Sequence, residues 1–177
     1  MEKYINVIAG RAGAGKTHYI ESEIGEKIKD PNKIVVLIDR QPPEKYMRMP
    51  DVSGEVESMF GKRDILHEML PRNLLYFDYA HAAEGIGKAI DAATAMDQTI
   101  PVYLYYDQAR YMMPVYIRDM LVAAGRAGVE VTIVAQLFSQ IDHDDPNWLK
   151  THCYADVISK HRPPRRASME EIDEVYR

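Results

Sequence analysis

Residues 10 to 17 read Gly-Arg-Ala-Gly-Ala-Gly-Lys-Thr, and this octapeptide constrains the chain more than any other segment. It fits G-x-x-x-x-G-K-[ST], a loop whose backbone N–H groups cradle phosphate. The flanks agree with that reading. Tyr4 to Ala9 reads as a short strand, and His18 to Lys29 as a helix. A strand, a glycine-rich turn and a helix N-terminus together make an anion site, because N–H groups converge and the helix dipole favours negative charge. Gly10, Gly13 and Gly15 allow close backbone approach and positive φ. Arg11, Ala12 and Ala14 complete the loop around a bound phosphate chain. Lys16 is expected to reach the β- and γ-phosphates, and the Thr17 hydroxyl to bind Mg²⁺. The expected ligand is therefore a nucleotide with Mg²⁺.

At 177 residues the natural reading is one domain, residues 1–177, long enough for a proper core. The formal net charge of −5 argues against indiscriminate adhesion to nucleic acid or anionic membrane, while leaving room for a local basic patch. Cys153 is the lone cysteine, so no internal disulfide can form and a cytoplasmic protein is expected. No apolar run approaches the roughly 20 residues of a membrane span, and Met-Glu-Lys-Tyr followed at once by a strand is not a signal peptide.

Apolar runs alternate with helical patterns, which predicts an α/β fold with a mainly parallel sheet. Lys33 to Ile38 is a buried-strand run ending at Asp39. The segment from about 41 to 72 carries Pro42, Pro43, Pro50, Gly54 and several charges, and reads as an irregular excursion with a short helix over Lys62 to Leu70. Leu74 to Phe77 is a brief strand followed by Asp78. Ala82 to Met96 is alanine-rich and helical, weakened by Gly85 and Gly87. Pro101 to Tyr106 is a strand ending at Asp107, and Pro114 suits the first turn of a helix running to about Ala124. Val129 to Ala135 is a strand ending at Gln136, and Tyr154 to Ser159 a final one. Ser168-Met169-Glu170-Glu171 fits a capping box.

In open α/β sheets, ligands sit beyond the carboxyl ends of the strands. The closing residues here are the loop at Gly10 to Thr17, Asp39, Asp78, Asp107 and Gln136. Val102 to Asp107 is an apolar run capped by aspartate, the pattern that places a carboxylate on Mg²⁺. Asp107 is preferred to Asp39 because its run is longer. A Gln136 amide beside a γ-phosphate can orient the attacking water. Arg126, in Gly125-Arg126-Ala127-Gly128, can stabilise transition-state charge in its own site or a neighbour's, with Arg118 as rival.

Three segments together, Gly10 to Thr17, Val102 to Arg110 and Gly125 to Asp142, resemble the FtsK–HerA superfamily of P-loop ATPases. The most telling is Gly-Arg-Ala-Gly-Val-Glu-Val-Thr-Ile-Val-Ala-Gln-Leu-Phe-Ser-Gln-Ile-Asp, which is similar to the arginine, strand, glutamine and short polar helix of conjugative coupling proteins, zonula-occludens-toxin-like phage assembly proteins and viral genome-packaging ATPases. Tyr-Ala-Asp156-Val-Ile-Ser resembles the strand that closes the family core. The resemblance implies a three-layer, additional-strand (RecA-like) P-loop NTPase, with another strand between the P-loop strand and the Walker B strand. It implies a homo-oligomeric ring, often with an arginine completing the neighbour's site, and ATP hydrolysis coupled to moving DNA, with double-stranded DNA the expected partner, or another polymer. In that pattern Lys16 and Thr17 serve phosphate and Mg²⁺, Asp107 is the Walker B aspartate and Gln136 the sensor. So bare a core suits a phage or viral packaging motor, acting with a portal or other assembly component in the host cytoplasm, with no membrane partner.

The resemblance breaks at Gln108, where the family usually has glutamate as general base. Glutamine positions water but accepts no proton, so hydrolysis is slow, uses another carboxylate such as Asp78 or Asp39, or awaits a partner. Two other functions stay open. One is a small-molecule (nucleoside or nucleotide) kinase, with Arg48, Arg63 and Arg72 of the excursion as lid arginines. The other is a nucleotide-dependent assembly subunit that does not hydrolyse. Lys160 to Arg166 is the one dense basic run, read as a solvated linker or a phosphate-backbone contact. The spacing of His143, His152, His161 and Cys153 matches no zinc template.

Overall fold

The computed structural model describes residues 2–47, 69–95, 100–109, 111–160 and 162–177, with the backbone alone for Gln108 and Ala109. The strands are β1 (Ile5–Ala9), β2 (Ile34–Ile38), β3 (Leu74–Phe77), β4 (Val102–Ala109), β5 (Glu130–Ala135), β6 (Cys153–Val157) and β7 (Arg165–Arg166). The helices are α1 (Lys16–Ile28), α2 (Ala82–Thr94), α3 (Val115–Arg126), α4 (Ser139–Asp142) and α5 (Trp148–His152). The sheet has seven strands in the order β3-β2-β4-β5-β1-β6-β7. Every pairing is parallel except that of β7 on β6.

This is the expected α/β architecture with a mainly parallel sheet, and β5 does lie between β1 and β4. Parallel strands buried on both faces read as continuous apolar runs, as Ile34–Ile38 does. Alternation divides the side chains between two cores. Val36, Ile38, Leu104, Tyr106, Ile133 and Ala135 join the core under α2 and α3. Ile8, Val35, Leu37, Tyr105 and Val134 join the core under Ile20 and Ile24 of α1. A helix layer therefore covers each face.

Several boundaries differ from the sequence reading. β4 runs past Asp107 to Ala109, with a shift of register against β5 between those residues. β6 starts and ends earlier than expected, at Cys153–Val157, and Ile158, just after it, packs against Gly10 of the phosphate-loop motif. The basic run is not a free linker: Arg165 and Arg166 form the antiparallel edge strand, Arg165 pairs with Glu171 and Arg166 with Asp156. The capping box forms reciprocally, with Glu171 N–H on Ser168 Oγ at 3.2 Å and Ser168 N–H on Glu171 Oε2 at 2.9 Å. It opens a wide five-residue turn, Glu171–Val175. Most of the expected excursion and its helix, with Arg48 and Arg63, falls outside the described residues; Arg72 is described and exposed.

The two glycines of α2 separate by environment. A Cβ on Gly85 would lie 2.7 Å from Phe77 Cδ2, whereas one on Gly87 meets nothing within 4 Å. Gly85→Ala is expected to destabilise by about 1–3 kcal/mol through overpacking. Gly87→Ala is expected to stabilise by about 0.5–1 kcal/mol from helix propensity. Urea unfolding of both variants checks this; equal and same-signed changes would contradict it.

Candidate functional site

The carboxyl ends of β2, β4, β5 and β1 lie in one row, and strand periodicity decides which side chains face α1. Ile38 is level with Tyr106, so the residues that follow, Asp39 and Asp107, stand side by side. Val134 is level with Asp107, and Ala135 with Ala9, which puts Gln136 beside Gly10. Ile38, Tyr106 and Ala135 point to the far core, so Asp39, Asp107 and Gln136 take the alternate direction toward α1.

The loop at Gly10 to Thr17 owes its shape to glycines used in two ways. Gly13 and Gly15 have φ of +77° and +100°, conformations that side-chain-bearing residues rarely adopt. Gly10 is required by space: a Cβ there would sit 2.6 Å from Ile158 Cγ2 and 2.9 Å from Ile158 O. Ala14 N–H closes a tight turn on Arg11 O at 3.1 Å. Gly15 is the N-cap of α1 and offers no side chain, so the first-turn N–H groups are not capped by one. Arg11, Ala12 and Gly13 are exposed, as is Thr17. Lys16 Nζ donates to Gly10 O and, at 2.9 Å, to Arg11 O. Burial lowers its affinity for the proton, and the Asp107 carboxylate partly offsets this.

Thr17, Asp39 and Asp107 line one cavity of about 300 Å³ together with Glu21 of α1 and the segment Gln41 to Tyr46. Burial, and then repulsion from Asp107, push the Asp39 carboxyl up to about 7, against hydrogen bonds from Arg40 and Gln41 N–H groups that favour its charge. Two carboxylates forced together beside a hydroxyl form an oxygen-rich donor set for a hard cation. Among the described residues no cluster of three or more His, Cys, Asp or Glu could hold a metal by itself. Such a donor set fits Mg²⁺, which uses one or two carboxylates and completes its shell with water and substrate phosphate.

Gln136 is half-buried at the end of β5. Its turn is held by Gln140, whose Oε1 accepts from both Gln136 N–H and Leu137 N–H at 2.8 Å. Gln140 also ties this turn to the chain after β4, its carbonyl accepting from Met113 N–H at 2.8 Å. Sequence reasoning passed over Gln140, although its place four residues after Gln136 in a short polar helix was a usable signal. Tyr79 was also missed; its hydroxyl donates to Asp107 O and its ring stacks on Tyr106 at 5.8 Å.

Three further candidates are not brought to this row. Arg126 closes α3 beside Tyr4, at the amino-terminal edge of the sheet, with its guanidinium 6.0 Å from the Tyr4 ring. The six residues of β5 separate it from Gln136, about 20 Å at ~3.3 Å per residue, so it lies away from its own chain's row. Arg118 is 4% exposed and forms a bidentate pair with Asp144 at 2.5 and 3.0 Å, packed on the Trp148 ring, so it is spent inside the fold. Asp78 accepts from His81 N–H and lies 2.6 Å from His81 Nδ1, which makes it the cap of the short turn Tyr79–His81 that precedes α2 rather than part of the cavity. The Gln108 side chain lies outside the described residues. Cys153 is buried, its thiol pushed well up by burial, and no described partner makes it a metal ligand.

No protein-family model matches the chain, and no curated protein matches it. Solved structures do. The genome packaging NTPase B204 from Sulfolobus turreted icosahedral virus 2, in complex with AMPPCP, is similar with a TM-score of 0.53 at 16% identity, over 90% of this chain and 76% of that one. The same protein with ATP-gammaS gives 0.52 at 16% identity, over 92% and 78%. At that identity the likeness establishes the fold, that of a P-loop NTPase. Among the described residues no helix is long and apolar enough to cross a membrane.

Asp39 holds its proton more tightly when folded than when unfolded, so ionising it costs stability. That contribution is lost as pH rises from its ordinary 3.8 through about 7. Without nucleotide or Mg²⁺, Asp39→Asn is expected to raise the melting temperature over wild type at about pH 8, with the gain shrinking at about pH 5. Thermal melts at both pH values check this; a gain independent of pH would contradict it.

Proposed function

We propose that the chain is an ATPase of FtsK–HerA type that couples hydrolysis to translocation of double-stranded DNA, as a phage or viral genome-packaging motor does. The observation that carries the reading is the placement of Asp107 and Gln136 on the α1 side of adjacent strands, with β5, which Gln136 closes, inserted between β4 and the strand that leads into the phosphate loop. The structural neighbour is itself named a genome packaging NTPase.

In this reading Gly10 to Thr17 wraps the triphosphate and Lys16 transfers its ammonium from the loop carbonyls to the β- and γ-phosphates. Thr17 and Asp107 would hold Mg²⁺, which would supply neutralisation of the developing phosphate charge. Gln136 orients the attacking water. Water oxygen bonds to the γ-phosphorus, the bond to ADP breaks, and the water proton passes to Asp39, the carboxylate that takes the place of the glutamate absent at position 108. Arg126, at the opposite edge of the sheet, serves a neighbouring subunit in a homo-oligomeric ring. Action in the host cytoplasm with a portal or similar partner follows from the same reading.

One observation favours a second reading. The cavity of about 300 Å³ beside Thr17 and Asp39 has room for a small phosphate acceptor, as a nucleoside or nucleotide kinase requires.

Phosphate release from ATP is expected to rise with double-stranded DNA. Turnover that depends on a small phosphate acceptor would establish the kinase reading instead. Lys16→Ala is expected to lower turnover by at least about 100-fold, and an unchanged rate would refute the loop's role. Mixing Arg126→Ala with Lys16→Ala subunits is expected to restore part of the activity; none from folded mixed oligomers would remove Arg126 from the neighbour's site.

A further inference from the structure

Residues 172–177 return to the turn that carries Gln136. Ile172 is buried in the main core and Asp173 pairs with Lys150 at 2.7 Å, which anchors the approach. Tyr176 then accepts, through its backbone carbonyl, the N–H of Phe138 at 2.7 Å. Its ring meets the Phe138 ring edge-on, centroids 6.0 Å apart. Arg177 O accepts from Ser139 Oγ at 2.8 Å. The Arg177 guanidinium closes on both oxygens of Asp142 at 2.6 and 2.7 Å. Asp142 is fully buried, and Arg177 is its side-chain ion-pair partner.

Three consecutive backbone donors in this turn are therefore fixed by groups outside the β5 ladder. Gln140 Oε1 takes Gln136 and Leu137, and Tyr176 O takes Phe138. Phe138 is completely buried, so its N–H has no route to water if Tyr176 withdraws. Asp142 faces the same constraint more severely, because a buried carboxylate stripped of its cation is strongly unfavourable. The turn and residues 176–177 thus move together or stay together.

We propose that Tyr176 and Arg177 form a clamp that positions the Gln136 turn, so that this segment controls hydrolysis while leaving nucleotide binding intact. The consequence for catalysis rests on the role given to Gln136 above; the clamp itself does not. Gln136 touches the reacting water in that scheme, and Arg177 acts only through it, as a positioning residue. Nucleotide affinity comes from the loop at Gly10 to Thr17, which the clamp does not touch.

The test uses the full chain as wild type, Arg177→Ala, Arg177→Lys and the double variant Asp142→Asn/Arg177→Ala. The double variant breaks the clamp without leaving a bare buried carboxylate, so it remains informative if Arg177→Ala folds poorly. Amide exchange over 136–141 is expected to be about tenfold faster in both clamp-breaking variants, and restored by Arg177→Lys. Their kcat is expected to fall about tenfold with ATP-gammaS affinity within about twofold of wild type. Unchanged exchange over 136–141 would overturn the clamp. Faster exchange with unchanged kcat would overturn its control of hydrolysis. If the wild type binds ATP-gammaS but releases no phosphate, the hydrolytic reading fails, and the exchange measurement still decides the clamp.

Discussion

The parallel register of β2, β4, β5 and β1 is the constraint on which the candidate site depends. Parallel pairing delivers every carboxyl end to the same edge, and the two-residue period then assigns each closing side chain to one face. Asp39, Asp107 and Gln136 face α1 because Ile38, Tyr106 and Ala135 are committed to the core beneath α2 and α3. A slip of one residue in β4 or β5 would bury a carboxylate or an amide in that core and turn an aromatic or alanine toward the phosphate loop. The apolar interior thereby fixes the polar geometry at its rim, and the cost of misregister makes the arrangement specific.

A second consequence of the same geometry is electrostatic. Asp39 and Asp107 are held at one level by hydrogen-bonded strands, so their repulsion cannot relax by separation. Burial first, and that repulsion second, push the Asp39 carboxyl up to about 7, next to an exposed Thr17 hydroxyl and a lysine whose charge is itself disfavoured by burial. A phosphate-bound divalent cation relieves the carboxylate repulsion, and phosphate gives the Lys16 ammonium a counter-charge in place of backbone carbonyls. The fold alone disfavours the charged form of both groups, and such a ligand would restore it.

Much of this was legible in the sequence because its signals are local. The glycine-lysine-threonine loop, the apolar runs and the polar residues that close them are each contained within a few positions. The place of β5 between β1 and β4 came from resemblance to a known family, since strand order leaves no mark on local periodicity. What escaped was the product of distant packing. Arg126 precedes β5 closely in sequence, yet a strand's start and end lie at opposite edges, and proximity along the chain hid that separation. Arg118 carries no sign in sequence that Asp144 and Trp148 enclose it. Gln140, Tyr79 and the contacts of Tyr176 and Arg177 join segments 3 to 38 residues apart, and a side chain takes part in most of those joins. Gln108 sits in the backbone of β4, and its identity is a departure that the surrounding architecture does not cancel.

The central claim is that this strand-end row and the Gly10 to Thr17 loop together hold Mg–ATP. A crystal structure of the chain with Mg²⁺ and ATP-gammaS tests it most directly. The account predicts the triphosphate within the loop, the Lys16 ammonium on the β- and γ-phosphates, Mg²⁺ on the Thr17 hydroxyl with Asp107 beside it, and the Gln136 amide facing the γ-phosphate. Nucleotide seated elsewhere on the molecule, or a loop still closed on Lys16 at saturating nucleotide, would contradict it.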